Sequence, residues 1–419
     1  MDTVQQVAVL VGVNLNGDKN FEYSLEELAN LADACDVSVV GHVTQNLERV
    51  NNATYIGSGK VEEVFMMVDQ HEANLVIFND ELSPSQIRNL EQALNVKVID
   101  RTILILDIFA KRAKTREAQL QVEVAQLRYM MPRLIGLNAS LSRQAGGIGS
   151  RGPGEKKLEL DRRRIEEKLH KMNKELDDLV AARQNQRKLR KRNEMPVVAL
   201  VGYTNAGKST TMNALINTYV QNDEKVVFEK DMLFATLETS TRQIQLPDNK
   251  KFLLTDTVGF VSKLPHHLVK AFRSTLEEVK EADLLLHVVD ISHPEYEVQI
   301  EITNKVLKDL GVEETPMVYV YNKSDLVTED ILPVFEPYIK ISAKHRQNIE
   351  NLVDVIKKRV FNDFTTATFL IPYDAGSIVS YFNEHANILA TEYTDAGTKL
   401  RVDCQLSDLH RYEQYLITN

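Results

Sequence analysis

The feature that most constrains this chain is a Gly-rich turn between an apolar segment and a helical segment. The apolar run Met195–Val201 leads into Gly-Tyr-Thr-Asn-Ala-Gly-Lys-Ser at residues 202–209. In such a turn, backbone N–H groups surround phosphates, the lysine reaches the β- and γ-phosphate oxygens, and the serine hydroxyl binds Mg2+. The pattern predicts a nucleoside triphosphate site, with Lys208 catalytic and Ser209 a Mg2+ ligand. The predicted nucleotide contacts of this turn are Gly202, Tyr203, Thr204, Asn205, Ala206, Gly207, Lys208 and Ser209.

Length and cysteine content limit the class of protein. A chain of 419 residues exceeds what one hydrophobic core supports, so several domains are expected. The two cysteines, Cys35 and Cys404, are too few for a disulfide framework or a structural zinc site, which favours a reducing cytosol. The first residues lack a signal-peptide pattern, and the strongest apolar run, 284–289, is too short to cross a bilayer. We therefore expect a cytoplasmic protein without stable membrane insertion.

Basic residues are concentrated in one part of the chain. Residues 111–194 contain 22 Lys and Arg against 11 Asp and Glu, a local charge of +11, whereas the whole chain carries −10. A basic segment in an acidic chain favours a polyanionic partner that binds at that segment. A solvated helix with ion pairs between residues four apart would give a similar composition. Charge alone therefore leaves both interpretations open.

Four domains are predicted from the alternation of apolar and amphipathic segments. Residues 1–114 form an N-terminal α/β domain, 115–194 a helical hairpin, 195–364 the nucleotide domain, and 365–419 a small C-terminal α+β domain. The predicted strands are 7–13, 36–43, 75–79, 96–100, 367–371, 390–393 and 400–405. The predicted helices are 24–34, 60–71, 83–94 and 377–389, with Ser24 and Ser83 as N-caps.

The sequence Gly57-Ser-Gly-Lys60 carries a Gly-rich lysine pattern without the full phosphate-loop spacing. It predicts a turn that opens a helix. A helix N-terminus beside Lys60 is also a site that can bind a phosphate of RNA or of a nucleotide, so that alternative stays open.

Two heptad stripes flank a Gly-rich loop. The first stripe is Leu120, Val124, Leu127 and Met131, and the second lies between residues 158 and 179. Two such stripes around a loop predict an antiparallel helical hairpin. The loop, 142–154, holds five of the 17 glycines of the chain together with Arg143 and Arg151. Such composition is typical of a flexible linker, but the arginines favour a basic tip that reaches into a folded polyanion.

A second nucleotide motif, Asp256-Thr-Val-Gly259, follows the predicted strand 251–255. A carboxylate at this strand end can hold a Mg2+-bound water, and the Gly259 N–H can bind the γ-phosphate, so that loss of this phosphate releases the following loop. Gly259 is therefore a further catalytic candidate. The predicted contacts of this motif are Asp256, Thr257, Val258 and Gly259.

The sequence Asn322-Lys-Ser-Asp325 predicts the choice of base. A carboxylate at the fourth position accepts from both N1–H and the 2-amino group of guanine, whereas adenine leaves Asp325 unpaired. The Lys323 stem can cover the base, and the sequence at 341–344 supplies backbone donors for the guanine 6-oxo group. The predicted contacts are Asn322, Lys323, Ser324, Asp325, Ser342, Ala343 and Lys344. The order of these motifs predicts an α/β fold with a Ras-like P-loop GTPase domain and the site at the carboxyl ends of its strands.

Three features of the sequence bear on hydrolysis. Thr236, Thr239 and Thr241 lie between the first two motifs, and each is a candidate for the threonine that meets Mg2+ and the γ-phosphate. Phe260 follows Gly259 where many GTPases carry a water-orienting Gln, so hydrolysis is expected to be slow until a partner or a metal ion completes the site. Asn205 can hold K+ near the β/γ bridge or can simply shape the loop, and both readings remain open.

The chain resembles the HflX family of translation-factor-like GTPases. The resemblance rests on Gly57–Lys60, Gly146–Glu155, Gly202–Ser209, Leu233–Leu237 and Asp256–Phe260, and it covers nearly the whole chain. It implies that Thr236 is the catalytic, Mg2+-binding threonine. It also implies nucleotide contacts in the surrounding segment, namely Phe234, Ala235, Thr236, Leu237 and Glu238.

The resemblance further implies the partners. It predicts binding of GTP and GDP, contact with ribosomal RNA of the large ribosomal subunit through the coiled-coil hairpin, and splitting of stalled or idle ribosomes under stress. A monomer is expected. No DNA partner is expected. Two rival functions share the same motifs: a ribosome-assembly or RNA-remodelling factor, and a switch for a protein partner such as a membrane protease complex. The last rival would add peripheral membrane association to a cytoplasmic, ribosome-associated location.

Overall fold

A computed structural model describes residues 5–142, 153–192, 195–219, 234, 239–264, 278–327 and 333–417. The chain divides into two compact units. The described part of the first contains the N-terminal sheet, the helical hairpin, Phe234 and residues 258–264, and the second contains a six-stranded sheet and the C-terminal region. The predicted α/β fold class is confirmed, whereas the predicted four-domain boundaries stay a prediction.

The first unit is built on a four-stranded parallel sheet with the strand order β2-β1-β3-β4. Its strands are β1 Gln6–Leu15, β2 Val37–Leu47, β3 Leu75–Phe78 and β4 Lys97–Asp100. Its helices are α1 Phe21–Ala34, α2 Ser58–Gln70, α3 Pro84–Leu94 and α4 Arg101–Arg112. All four predicted strands and all three predicted helices are confirmed to within a few residues, and α4 is an additional helix.

Of the two predicted helix N-caps, one is confirmed and the other is wrong. Ser83 caps α3 with the capping box formed with Gln86, as predicted. Ser24 is not an N-cap, because α1 begins at Phe21 and Ser24 lies buried inside the helix, where its hydroxyl bonds to Asn79. α2 begins at Ser58, so the turn predicted at Gly57–Lys60 is wrong: Gly57 is the N-cap, and the next three residues already lie in the helix.

The predicted hairpin consists of α5 Arg116–Ser142 and α6 Pro153–Arg192. Their apolar stripes pack together in one cluster, which comprises Leu120, Val124, Leu127, Ile165, Leu169, Met172, Leu176 and Leu179. Ion pairs of Arg116 with Glu175 and of Lys168 with Glu123 run between the helices in antiparallel order. Arg143 and Arg151 of the predicted tip lie outside the described residues.

The second unit contains a six-stranded sheet in the order β10-β9-β8-β5-β7-β6, parallel except for the β6–β7 pair. The strands are β5 Val197–Val201, β6 Ser240–Gln245, β7 Lys251–Asp256, β8 Leu284–Asp290, β9 Met317–Asn322 and β10 Tyr338–Lys340. The helices are α7 Lys208–Tyr219, α8 Tyr296–Asp309 and α9 Ile349–Val360. Since ligands of such sheets bind beyond the carboxyl ends of the strands, this topology gathers the predicted motifs at one edge.

The C-terminal region is a three-stranded antiparallel sheet with α10 Gly376–His385 and α11 Leu406–Arg411. Its strands are β11 Phe364–Ile371, β12 Asn387–Thr394 and β13 Gly397–Gln405. The predicted helix end at residue 389 is wrong, because Ala386 is already extended and β12 pairs with β13 from Asn387 onward. No helix within the described ranges has the length and apolar character needed to span a membrane.

Candidate nucleotide site

The Gly-rich turn connects β5 to α7, as the sequence predicts, and two glycines make its path possible. Gly202 has φ +144°, and a Cβ there would lie 2.2 Å from the Val288 carbonyl oxygen. Gly207 has φ +92°, and its Cβ would lie 2.1 Å from Asn322 Nδ2. Only glycine fits both the backbone conformation and the available space. The turn therefore packs directly against the neighbouring strands β8 and β9.

Lys208 is buried, and its ammonium group is held by the turn itself. Nζ donates to the carbonyl oxygens of Gly202 at 3.1 Å and Tyr203 at 2.7 Å. Burial lowers the pKa of Lys208 to about 8, although the carboxylate of Asp256 opposes this effect. A desolvated cation without a full counter-charge is stabilised by an arriving phosphate. The position and charge of Lys208 therefore suit the binding of the nucleotide phosphates that the sequence predicts.

Ser209 and Asp256 form the metal-facing part of the site. Ser209 Oγ donates to Asp256 Oδ2 over 2.6 Å, and Asp256 is fully buried at the end of β7. A hydroxyl and a carboxylate are the hard oxygen donors that suit Mg2+, which takes its remaining ligands from phosphates and water. Within the described ranges, no group of three or more His, Cys, Asp or Glu side chains could hold a metal by itself. The oxygen donors of Ser209 and Asp256 fit a Mg2+ ion whose remaining ligands are phosphates and water.

Asn322 connects the loop predicted to recognise the base to the turn predicted to bind phosphates. Its Nδ2 donates to the Ala206 carbonyl over 2.9 Å, and its Oδ1 accepts from the Ala343 N–H over 3.0 Å. The side chain is 2% exposed, so both bonds are shielded from water. Three of the predicted motifs are therefore connected by one amide.

Asp325 is held as a carboxylate. The hydroxyl of Ser342 is the largest of the influences that lower its pKa, and the charges of His345 and Lys344 act in the same direction. Lys323, the neighbouring motif residue, forms an ion pair with Asp290 at 2.6 Å. An ionised acceptor at this position has the chemistry needed to receive two guanine donors.

Several predicted contacts cannot be placed. Ala235, Thr236, Leu237 and Glu238 lie outside the described residues, so the threonine that binds Mg2+ stays a prediction. Phe234 is buried with its ring centroid 4.7 Å from that of Phe109, both in the first unit, so only its main chain remains as a candidate nucleotide contact. Gly259 and Val258 are described, and Val258 belongs to the hydrophobic core of the first unit.

Sequence reasoning missed one buried residue near Lys208. His287 on β8 is 1% exposed, and burial followed by the Lys208 charge lowers its pKa to about 3, so the imidazole is neutral. Its Nδ1 has no hydrogen-bond partner among the described atoms. Within the apolar sequence of β8 no pattern distinguishes His287, and only the fold places it in reach of the lysine's charge.

Comparison with family models gives three matches that together span most of the chain. The models are described as GTP-binding GTPase N-terminal, over residues 22–110, GTP-binding GTPase Middle Region, over 112–190, and 50S ribosome-binding GTPase, over 197–323. The third match contains the Gly-rich turn, Asp256–Gly259 and Asn322.

Comparison with characterised proteins gives relatives that are similar over almost their full length. The GTPase HflX of Caldanaerobacter subterraneus subsp. tengcongensis is 47% identical over 402 residues, which cover 95% of this chain and 91% of the relative. The GTPase HflX of Escherichia coli is 38% identical over 386 residues, covering 90% and 88%. A crystal structure of a GTP-binding protein from Sulfolobus solfataricus in complex with GDP is 25% identical and covers 85% of this chain and 99% of that one. Its TM-score of 0.45 is too low to support a functional argument.

Proposed function

Because this chain belongs to the HflX family of GTPases, we propose that it binds the large ribosomal subunit and separates stalled or idle ribosomes under stress. The protein is a P-loop GTP hydrolase that binds GTP and GDP, and enzymes of this kind generally use Mg2+. The observation that carries the proposal is the similarity over the whole chain, including the basic hairpin and not only the GTPase domain.

The hairpin gives this proposal a physical basis. Residues 111–194 carry a local charge of +11, and the packed apolar stripes of α5 and α6 leave exposed basic side chains such as Arg164, which is 79% exposed. An RNA surface would attract such a segment, and salt would weaken the binding steeply because counterions are released. Ribosomal RNA is the polyanion that a 50S ribosome-binding GTPase would meet.

GTP is proposed to fix the conformation of the segment around Thr236 and of the segment after Gly259 and thereby to favour the ribosome-bound conformation, whereas hydrolysis permits release. Ser209 and Thr236 would hold Mg2+, Asp256 would hold a Mg2+-bound water, and Lys208 would neutralise the phosphates. Bound Mg2+ supplies positive charge where the transferred phosphoryl group develops negative charge.

Basal hydrolysis is expected to be slow. Phe260 is buried and offers no polar group to orient water. We propose that the ribosome, or K+ held by Asn205, supplies what is missing; Asn205 is exposed in the turn with φ +61°. Asn205→Ala should abolish the rise in hydrolysis rate when K+ replaces Na+. Equal stimulation of both proteins would refute the K+ site and leave the ribosome as the activator.

Sedimentation of joined ribosomes tests the splitting activity. With GTP or a non-hydrolysable analogue, the protein should convert joined ribosomes into separate subunits, and Lys208→Ala should not. Intact joined ribosomes in the presence of the wild-type protein would contradict the proposal. Binding only to precursor subunits would favour an assembly factor instead.

A charge reversal tests whether the hairpin contacts RNA. Arg143→Glu together with Arg151→Glu should abolish co-sedimentation with the large subunit while GDP affinity is retained. Lys305→Glu with Lys308→Glu on α8 is a matched double reversal outside the hairpin and should have little effect. Unchanged ribosome binding by the hairpin variant would favour docking to a protein partner.

A further inference from the structure

The residues that follow Gly259 lie against the N-terminal sheet within one compact unit. Val258 and Val261 belong to the hydrophobic core that also contains Leu10 and Ile105. Two residues further along, Lys263 forms an ion pair with Asp80 at 2.6 Å. The segment whose position changes with the γ-phosphate in switch nucleotidases is therefore part of the N-terminal packing.

Arg101 contacts the segment after Gly259 through a buried network of polar side chains. The side chain is 2% exposed, and its Nη2 donates to Ser262 Oγ over 2.9 Å and to the carboxylate of Glu27. Ser262 itself donates to Glu27. The other guanidinium nitrogen, Nη1, donates to Asn79 Oδ1 at 2.9 Å and to the Ser24 carbonyl at 3.0 Å. Buried groups of this kind must keep their partners, so the network has discrete arrangements and not a continuous range.

The network occupies the position where open parallel sheets ordinarily bind a ligand. In the strand order β2-β1-β3-β4 the direction of winding reverses between β1 and β3, and such sheets bind ligands beyond the carboxyl ends of the strands at that point. Asn79 directly follows β3 and is fully buried. Ser262 therefore takes the place that a ligand of this sheet would otherwise fill.

Asp100, which directly precedes Arg101, is bonded to the hairpin through a second group of buried polar side chains. Its Oδ2 accepts from the Tyr129 hydroxyl at 2.6 Å, from Arg133 Nη2 at 2.8 Å and from the Leu82 N–H at 3.1 Å. Tyr129 and Arg133 belong to α5, the first helix of the hairpin. Burial raises the pKa of Tyr129, so its hydroxyl remains a donor.

We propose that Asp100 and Arg101 are positioning residues that couple the segment after Gly259 to the hairpin. The two residues are joined by one planar peptide at the end of β4, so a displacement of Arg101 carries Asp100 with it. Ser262 lies three residues beyond Gly259 and transmits a change at the γ-phosphate to Arg101. The hydrogen bonds that Asp100 accepts from Tyr129 and Arg133 then change. This coupling goes beyond the proposed ribosome activity and does not require a ribosome.

Hydrogen exchange of α5 tests the coupling in the full-length protein. Amide exchange at residues 116–133 should differ by at least about threefold between the complexes with GDP and with a non-hydrolysable GTP analogue. Ser262→Ala should abolish this difference, whereas Ser262→Thr, which keeps the hydroxyl, should retain it. Ser262→Ala is preferred to a change at Arg101 because the Arg101–Glu27 ion pair stays intact and the fold with it.

A second variant and a control test whether the coupling passes through Asp100 to the hairpin. Tyr129→Phe removes one bond on the hairpin side and should reduce the nucleotide-dependent difference in the same way. Ser85→Ala, an exposed serine in the same domain, should leave it unchanged. Absence of any difference in the wild-type protein, or the same difference in Ser262→Ala, would overturn the proposal. A loss in Ser262→Ala with no change in Tyr129→Phe would also overturn it, because the coupling would then bypass Asp100.

Discussion

The side-chain amide of Asn322 donates a hydrogen bond to the main-chain carbonyl of Ala206 over 2.9 Å. This bond joins the loop that we propose chooses the base to the turn that we propose binds the phosphates. Because its other end accepts from Ala343, the amide fixes the spacing of all three loops. If these loops have the proposed roles, base recognition and phosphate binding are linked by bonds already present without a nucleotide.

Asn322→Ala should weaken GDP binding by at least about tenfold, because it leaves the Ala206 carbonyl and the Ala343 N–H buried without a partner, at about 1–3 kcal/mol for each group. Titration with a fluorescent GDP derivative measures the change. Asn351→Ala removes an exposed amide on α9 of the same unit and should leave the affinity within about twofold. Equal affinities of wild-type and Asn322→Ala would show that the link is dispensable.

Gly207→Ala should also abolish tight nucleotide binding. The added Cβ would lie 2.1 Å from Asn322 Nδ2, and the residue would have to adopt φ +92°. Gly59→Ala in α2 is the matched control, since no atom lies within 4 Å of a Cβ there. The control should bind GDP normally and should be slightly more stable in thermal unfolding, because alanine favours a helix. Normal GDP affinity of Gly207→Ala would contradict the observed packing.

The affinity for GDP should depend on pH through Lys208. In the free site burial lowers the pKa of this lysine from 10.5 to about 8, and bound phosphates favour the ammonium form, so the pKa is higher in the complex. Binding is therefore strongest below the pKa of the free site and weakens as the pH rises through it, by about fourfold in all between about pH 7 and about pH 8.5.

Calorimetry from about pH 7 to about pH 8.5 covers the range before guanine itself begins to ionise. The weak residual binding of Lys208→Met should show no such slope. A flat profile for the wild-type protein would show that Lys208 stays fully charged in the free site.

Asp325→Asn should change the base preference. The asparagine amide presents a donor where guanine also presents donors, so GDP affinity should fall by about 10²- to 10⁴-fold, while a xanthine nucleotide, with a 2-oxo acceptor, should gain affinity. Competition against a fluorescent nucleotide measures both changes. Asp248→Asn, at a carboxylate paired with Lys357 away from the base-recognition motif, serves as the control. Retained preference for GDP in Asp325→Asn would refute this role of the carboxylate.

The C-terminal region should be stabilised by its contacts with the β6–β7 turn. Lys250 lies 2.7 Å from Asp403 of β13 and over the ring of Phe364, and Asn249 donates to the Ala386 carbonyl at 2.9 Å. A double-mutant cycle of Lys250→Ala and Asp403→Ala, read by thermal unfolding, should give a coupling of about 1 kcal/mol or more, because this ion pair is mostly buried.

The exposed pair formed by Lys399 and Glu392, at 3.4 Å in the same sheet, provides the comparison. Its cycle should give less than about 0.5 kcal/mol. Equal coupling of the two pairs would show that the contact of Lys250 with Asp403 adds nothing to a surface ion pair.

Local patterns predicted much of the fold. The alternating apolar runs of the first unit gave its four strands to within a few residues, and the heptad stripes gave the packed face of α5 and α6. Local patterns failed where a distant contact decided the outcome. The local sequence predicts that Ser24 caps a helix. In the structure Ser24 lies inside α1, where its hydroxyl forms hydrogen bonds with Asn79 and Arg101, which are far away in sequence. Residues 386–389 read as helix, but pairing with β13 makes them extended.

The sequence by itself determined the chemistry of the nucleotide site, because each of its motifs is a short run of neighbouring residues at the end of a strand. The tertiary structure decided that Asn322 connects three of those motifs, and that the segment after Gly259 is bonded to Arg101 through Ser262. Two of these bonds join residues that are more than a hundred positions apart. Their partners are chosen by the packing of whole strands and helices, which no local pattern of residues records.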